Sequence, residues 1–368
     1  MFYKTIVRPL LFRGDPEQTH EKTLALLARL TPLQGVLARF FFVDDKRLHV
    51  QLGSLSLSNP VGLAGGFDKN GEAIHTIAGF GFGFMEIGAV TALAQPGNPK
   101  PRLYRLPEDE ALINRLGFNN DGAKTIAERL SRLRASGLPL RIPLGINIGR
   151  SKIVETKDAV ADFLSAFDQL YPYGDFFTLN VSSPNTPQLR DLQEKNLLTG
   201  LLHAVQQKNR ELAGRARGAL KPVFVKIAPD MDLAQADEIV EVALAEGISG
   251  IIATNATAFL RETLVSGSKE PGGLSGKPLR TLATSFVRHL YRTTRGKMPI
   301  VGVGGIFTAE DAYEKIKAGA SAVQIYTGFV YEGPAAVKRI NQGLLRLMDR
   351  DGYGSIAEVV GCENQPSI

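Results

Sequence analysis

The sequence predicts an α/β chain folded as a (β/α)8 TIM barrel with a small N-terminal helical extension. Three observations carry that expectation. Eight short apolar runs, most containing glycine, recur after residue 58; longer patterns of helical periodicity separate them; and nearly every run ends in polar residues. Near-continuous apolar runs suit parallel strands covered on both faces. Eight such units alternating with helices favour a closed barrel over its main competitor, a doubly wound open sheet.

The first 45 residues precede this rhythm. In "MFYKTIVRPLLFRG", Phe2, Tyr3, Ile6, Val7, Leu10 and Leu11 fall at helical spacing, with Lys4, Arg8 and Arg13 as the only charges. Pro9 limits any helix before it, so an irregular start is expected. Asp15 offers an N-cap, with Pro16 at the first helical position, opening "PEQTHEKTLALLARL". Thr31-Pro32 repeats that signal before "LQGVLARFFF". The expected organisation is an extension over 1–45, a barrel over 46–345 and a partly flexible C-terminal tail over 346–368.

Strands are expected at "PVGLAGG" (60–66), "FGFMEIGAV" (82–90), "IPLGINIG" (142–149), "FFTLNVS" (176–182), "VFVKIAP" (223–229), "GIIATN" (250–255), "IVGVGGI" (300–306) and "AVQIYTG" (322–328). Helical patterns such as "DGAKTIAERLSRLRAS" and "AQADEIVEVALAEG" lie between them.

Composition excludes several functions. No run of 18 apolar residues exists among the 368, so no spanning helix is expected. The broken apolar start, with no small-residue cleavage site after it, does not read as a signal peptide. Cys362 is the single cysteine, which excludes a disulfide scaffold and fits a reducing compartment. His20, His49, His75, His203 and His289 are scattered without ligand spacing, so no metal is expected. The net charge of +6 permits contact with anionic membranes or phosphates, but dense Lys/Arg blocks are missing and nucleic acid is not an expected partner.

Barrel chemistry sits in the loops after the strand C-termini. Those ends hold Asp68, Lys69 and Asn70; Asn147; Asn180, Ser182, Ser183 and Asn185; Lys226; Thr254 and Asn255; Gly304 and Gly305; and Tyr326, Thr327 and Gly328. The long loop after the second strand carries "NRLGFNNDG" (114–122). Amide-rich ends suit neutral or anionic heterocycles, because asparagine both donates and accepts. "GVGGIFTAEDAYEKIKAGA" (302–320), with a capping box at Thr308 and Asp311, and "YTG" (326–328) together match a phosphate site after strands 7 and 8. The plainer reading is that the glycines only turn the chain. Lys69 and Lys226 suit a Schiff-base nucleophile, a fixed cation or a structural ion pair. Ser183 lacks a GxSxG elbow and a strand-end histidine, which argues against hydrolysis; both serines also suit turn caps.

The motifs "AGGFDKNG", "EIGAVT", "PGNPKPRLYRL", "INRLGFNN", "GINIG", "NVSSPNTP", "VKIAPD", "ATNAT", "GGLSG", "GVGGI" and "QIYTGF" occur in this order. Over residues 1–345 the sequence resembles the dihydroorotate dehydrogenases, in particular their membrane-associated, quinone-using class 2. That resemblance implies an FMN barrel, one FMN per subunit, that oxidises (S)-dihydroorotate to orotate in pyrimidine (UMP) biosynthesis. It implies ubiquinone or menaquinone as acceptor and a peripheral location on the cytoplasmic face of a bacterial-type cell membrane.

The same resemblance assigns roles. Ser183 is the catalytic base; because a serine hydroxyl is a poor base, its proton is expected, on chemical grounds rather than from the resemblance, to pass on through water and a neighbouring hydroxyl, with Thr186 or Thr257 as candidates. Asn114, Asn180, Asn185 and Asn255, flanked by Arg115, Leu116, Gly117, Phe118 and Ala256, hold the substrate. Lys69 contacts substrate and flavin, and Lys226 lies beside the flavin pyrimidine ring. Gly65, Gly66, Phe67, Asp68, Ala89, Asn147, Asn180, Thr254, Gly276, Gly305, Tyr326 and Thr327 complete the FMN contacts. Ala89 departs from the family, where many members have Thr or Ser. The extension forms a hydrophobic quinone passage containing Arg105 and His20. Competing readings are a soluble flavin dehydrogenase using fumarate or NAD, a non-redox phosphate-binding barrel lyase working through Lys226, and a non-enzymatic membrane module.

Overall fold

The computed structural model describes residues 2–364. All eight expected strands form. They are β1 (Val61–Asp68), β2 (Phe84–Val90), β3 (Leu144–Ile148), β4 (Phe176–Asn180), β5 (Val223–Ile227), β6 (Gly250–Ala253), β7 (Ile300–Val303) and β8 (Ala322–Ile325). Every neighbour is parallel and in chain order, and β8 closes on β1 with Val323 opposite Val61. The (β/α)8 barrel with N-terminal helices is therefore borne out.

Strand periodicity of two decides what fills the barrel. At the N-terminal end, glycines on three strands each face a phenylalanine on an adjacent strand. A Cβ on Gly62 would lie 2.4 Å from the Phe84 ring, one on Gly145 2.2 Å from Phe176, and one on Gly250 2.6 Å from Phe224. Phe84, Phe176 and Phe224 stack edge to face, with centroids 6.2 and 5.7 Å apart, and plug the floor. Two residues further along the same face come Glu86, Asn147, Thr178 and Lys226, all buried. The interior thus changes from an aromatic floor to a polar layer in one step of the pleat.

Helix Pro16–Arg29 begins as expected, with Asp15 accepting from the Gln18 amide at 2.9 Å. The second start signal does not act as a cap. Thr31 donates its hydroxyl back to the Ala28 carbonyl at 2.9 Å, a short 3-10 turn covers Thr31–Leu33, and the helix proper is Gln34–Phe41. The hydroxyl is already engaged by the preceding turn, so it cannot serve the following amides. The chain start forms a wide π-helical turn, Tyr3–Val7, running into helix Arg8–Leu11. Tyr3 donates to the Val330 carbonyl at 2.7 Å and Lys4 pairs with Glu332, which fastens the extension to the barrel's last unit. Among the described residues no single helix is long and apolar enough to cross a membrane.

The loop after β2 contains ordered structure that its turn-like sequence did not announce. Leu103–Leu106 and Ala111–Asn114 form a hairpin, and Gly273–Gly276, from the loop after β6, pairs antiparallel with the second strand. This three-stranded sheet sits over the barrel mouth. Helix Ala336–Asp351 runs through the boundary expected at 345, and Ile356 and Val359 are fully buried beyond it. The last tail residues, 365–368, lie outside the described residues.

Candidate active site

At the C-terminal mouth of the barrel is a cleft of about 1060 Å3, including space open to solvent. Three groups of side chains face it: the strand-end amides Asn180, Asn185, Asn255 and Asn114; the lysines Lys69 and Lys226; and the glycine loops of β7 and β8. The amides form two hydrogen-bonded groups, one around Asn180 and one joining Asn185 to Asn114. Asn180 donates to Asn147 Oδ1 (3.1 Å), Ser182 donates to Asn180 Oδ1 (2.9 Å), Asn255 donates to Ser182 Oγ (2.9 Å), and Asn185 donates to Asn114 Oδ1 (3.2 Å). Ser182 is therefore a structural link. Ser183 is turned into the cleft, where its Oγ accepts from the Asn185 amide at 3.3 Å.

Lys226 reaches the cleft from the polar layer of the barrel. Burial pushes its pKa down, and the charge of Glu86 opposes that shift. Glu86 is wholly buried and accepts from Thr178 (2.8 Å) and Asn147 (3.1 Å). The Glu86 charge favours the protonated lysine, and burial, the larger effect, works against it. Lys69 is pushed down to about 8 by burial; Glu17 and Asp68 oppose the shift and Arg102 adds to it.

A second cavity, about 830 Å3, opens beside the first between the extension and the barrel. It is lined mainly by apolar and aromatic groups, including Leu11, Phe12, Leu27, Phe80 and Phe329. Its polar members include His20, whose ring Nε2–H donates to the Phe67 carbonyl at 2.7 Å, and Arg105, whose guanidinium lies 4.7 Å from the Phe12 ring centroid. Burial, with the charge of Lys69, pushes His20 down to about 4, so the ring is neutral. Leu103, Leu112 and Tyr326 line both cavities. A polar cleft and an apolar passage thus share one thin wall.

A family model for dihydroorotate dehydrogenase matches residues 47–348. The chain belongs to the dihydroorotate dehydrogenase family. It is 48% identical over 359 residues to the dihydroorotate dehydrogenase (quinone) of Gloeobacter violaceus, covering 97% of this chain and 98% of the relative. It is 50% identical over 353 residues to the protein of that name in Cereibacter sphaeroides, with 95% of each covered. Crystal structures of DHODH from Eimeria tenella are also similar. The complex with ferulenol has a TM-score of 0.88 at 36% identity and 96% coverage of each chain. The ligand-free form has the same score at 37% identity, covering 96% of this chain and all of that one. The resemblance read from the ordered motifs, to the quinone-using class of dihydroorotate dehydrogenases, is borne out.

Most residues expected at the dehydrogenase site do converge. Gly65, Gly66, Lys69, Ala89, Asn114, Leu116, Gly117, Phe118, Asn180, Ser183, Asn185, Lys226, Thr254, Asn255, Ala256, Gly276, Gly305, Tyr326 and Thr327 line the cleft. Four others do not. Phe67 faces the apolar cavity. Asp68 is buried and accepts from the amides of Glu72 (2.9 Å) and Ala73 (2.8 Å), closing the loop after β1. Asn147 lies under Asn180 in the polar layer. Arg115 turns outward, stacking on Tyr104 and pairing with Glu270 at 3.7 Å.

Two polar cleft residues escaped the sequence reading. Ser275 exchanges a hydrogen bond with Thr327 at 2.9 Å from the cover sheet. Gln324 is fully buried in β8, and both atoms of its amide lack a partner. Strand parity was the available signal: Gln324 stands two residues before Tyr326 and so on the same face.

Proposed function

We propose that this dehydrogenase uses FMN to oxidise (S)-dihydroorotate to orotate in UMP biosynthesis and passes the electrons to a membrane quinone. The observation that supports it best is the pair of cavities meeting at Leu103, Leu112 and Tyr326. A polar amide-lined site and an apolar passage are what a water-soluble donor and a lipid-soluble acceptor each need.

The cleft suits a flavin. Gln324 offers an unpaired donor and acceptor inside it, and Gly276 (φ +104°), Gly304 (φ +115°) and Gly305 (φ +72°) let backbone approach a phosphate where a Cβ would be strained. Lys69, Ala89, Lys226, Thr254, Gly276, Gly305, Tyr326 and Thr327 would hold it, with Asn147 supporting Asn180 from beneath. A bound flavin would supply the hydride-accepting chemistry for one carbon of dihydroorotate.

The protein handles the proton from the adjacent carbon. Asn114, Asn180, Asn185 and Asn255 hold the substrate's carboxylate and ring amides, and orient that carbon toward Ser183 Oγ. No carboxylate or histidine hydrogen-bonds this hydroxyl among the described residues, so its proton must move on. Thr257 donates to Asp230 and is already committed. Thr186 has a buried hydroxyl without a partner, and it is the better next station.

In this reading the extension rests the passage against the cytoplasmic face of the membrane. Phe2 (68% exposed), Phe40 (66%), Leu10 and Val36 present apolar surface beside Lys4, Arg8 and Arg13. Such a combination lies in the headgroup region without spanning it.

Ser183→Ala tests the central assignment. Flavin reduction by dihydroorotate in single turnover is expected to slow by about 10²-fold or more, the range of a lost general base. Reoxidation by quinone is expected to stay as in the parent. Normal reduction with slowed reoxidation would overturn the role.

A further inference from the structure

One buried ion pair joins the extension to the loop that carries the substrate amides. Glu17 lies in the first turn of helix Pro16–Arg29, and Arg102 lies just before the strand Leu103–Leu106; each is 6% exposed. Arg102 Nε is 3.1 Å from both carboxylate oxygens of Glu17, and Nη2 is 2.7 Å from Oε1. Nη1 points the other way and donates to the carbonyls of Pro96 and Asn98, both at 2.6 Å. The planar guanidinium therefore grips a helix of the extension with one edge and the loop after β2 with the other.

The chain of contacts continues into the cleft. Asn98 Nδ2 donates to the Arg115 carbonyl (2.9 Å) and the Asn185 carbonyl (3.2 Å), and its backbone amide donates to the Leu116 carbonyl (3.0 Å). Gly117 makes room for this side chain: a Cβ there would lie 2.7 Å from Asn98 Cγ. Asn185 then donates to Asn114. Every step from Glu17 to Asn114 is a hydrogen bond. Neither Glu17 nor Arg102 lines either cavity.

We propose that Arg102, held by Glu17, is a positioning residue for dihydroorotate binding, so that the extension that admits quinone also sets the substrate site. This rests on reading Asn114 and Asn185 as substrate amides. The physical cause is the cost of leaving either buried charge alone. Without Glu17 the guanidinium must find water; without Arg102 the carboxylate keeps only Lys100, at 3.4 Å and half exposed. Without Arg102, Pro96 and Asn98 lose the donor that fixes them; without Glu17, that donor is no longer held in place, and in either case Asn98 holds Asn185 and Arg115 less firmly in register.

The test uses flavin-loaded, full-length protein with Arg102→Gln, Glu17→Gln and the double variant. Orotate affinity is read from the flavin absorbance change, and dihydroorotate KM and kcat from a soluble dye acceptor. Orotate Kd and dihydroorotate KM are expected to rise about tenfold in each single variant, with kcat within about twofold, as for loss of a buried hydrogen-bonded anchor. The double variant is expected to be no worse than Arg102→Gln, because both changes break one contact. A purely structural pair would lower the thermal midpoint and leave Kd in place; that result overturns the proposal. Asn98→Ala leaves the buried pair intact and must also weaken orotate binding, which decides the matter even where an Arg102 variant fails to fold. Asn185→Ala separates the two layers of argument. If it weakens binding while the Glu17, Arg102 and Asn98 variants do not, only the coupling fails. If it too has no effect, the substrate-site reading fails, and the proposal with it.

Discussion

Lys69 makes orotate binding depend on pH in a direction that can be worked out beforehand. Burial pushes its pKa down to about 8, against the pull of Glu17 and Asp68. The substrate is an anion, so binding favours the protonated lysine. Affinity is therefore full well below pH 8 and is lost as pH rises through it. With a pKa of about 8, Lys69 is about nine-tenths protonated at pH 7 and about one-tenth protonated at pH 9, so orotate Kd should rise about tenfold across that interval. Lys69→Met should weaken binding at pH 7 by about 10- to 100-fold, the value of a hydrogen bond to a charged group. It should also remove the pH dependence that the lysine adds. The assay is titration of the flavin-loaded enzyme with orotate, at constant ionic strength, from about pH 6.5 to about pH 9. The ratio of variant to parent Kd cancels any titration of orotate itself. Parallel curves for parent and Lys69→Met would refute the argument, because the lysine would then not be the group that titrates.

Two further changes probe the other parts of the site. A Cβ at Gly305 would lie 2.4 Å from Arg280 Cα at φ +72°, so Gly305→Ala must move the loop after β7. Flavin content after purification is expected to fall, with Kd for FMN up by about tenfold or more, while the far-ultraviolet circular dichroism of the barrel persists; full flavin occupancy would show that this loop does not cradle the phosphate. Val36→Asp with Phe40→Asp puts two charges on exposed positions of helix Gln34–Phe41. Binding to vesicles carrying anionic lipid should drop, and KM for a long-chain quinone should rise, while dye-linked dihydroorotate oxidation stays normal; unchanged vesicle binding would remove this helix from the membrane face.

Much of the barrel was legible because its signals are local. Strand runs, glycine breaks and the Thr308–Asp311 capping box each lie within a few residues, and that box forms as read. The cover sheet was not legible. Its strands Leu103–Leu106, Ala111–Asn114 and Gly273–Gly276 are four residues each, and the third pairs across more than 150 positions of chain. Short strands whose partner is remote leave no periodic trace. Asp68 was misplaced for a related reason. A polar residue at a strand end can face the cleft or close its own loop, and only the positions of the Glu72 and Ala73 amides decide between them.

By itself the sequence determined the eight-unit barrel, the polar strand ends, Ser183 in a loop without histidine, and an apolar extension outside the repeat. These follow from side-chain periodicity and from what a loop of given composition can do. Only the tertiary structure decided which groups meet. It brought four asparagines from three separate segments to one cleft, separated two cavities by Leu103, Leu112 and Tyr326, and set Glu17 against Arg102 across 85 positions of sequence. Those meetings depend on barrel closure and on the cover sheet, which are set by long-range packing that no local pattern encodes.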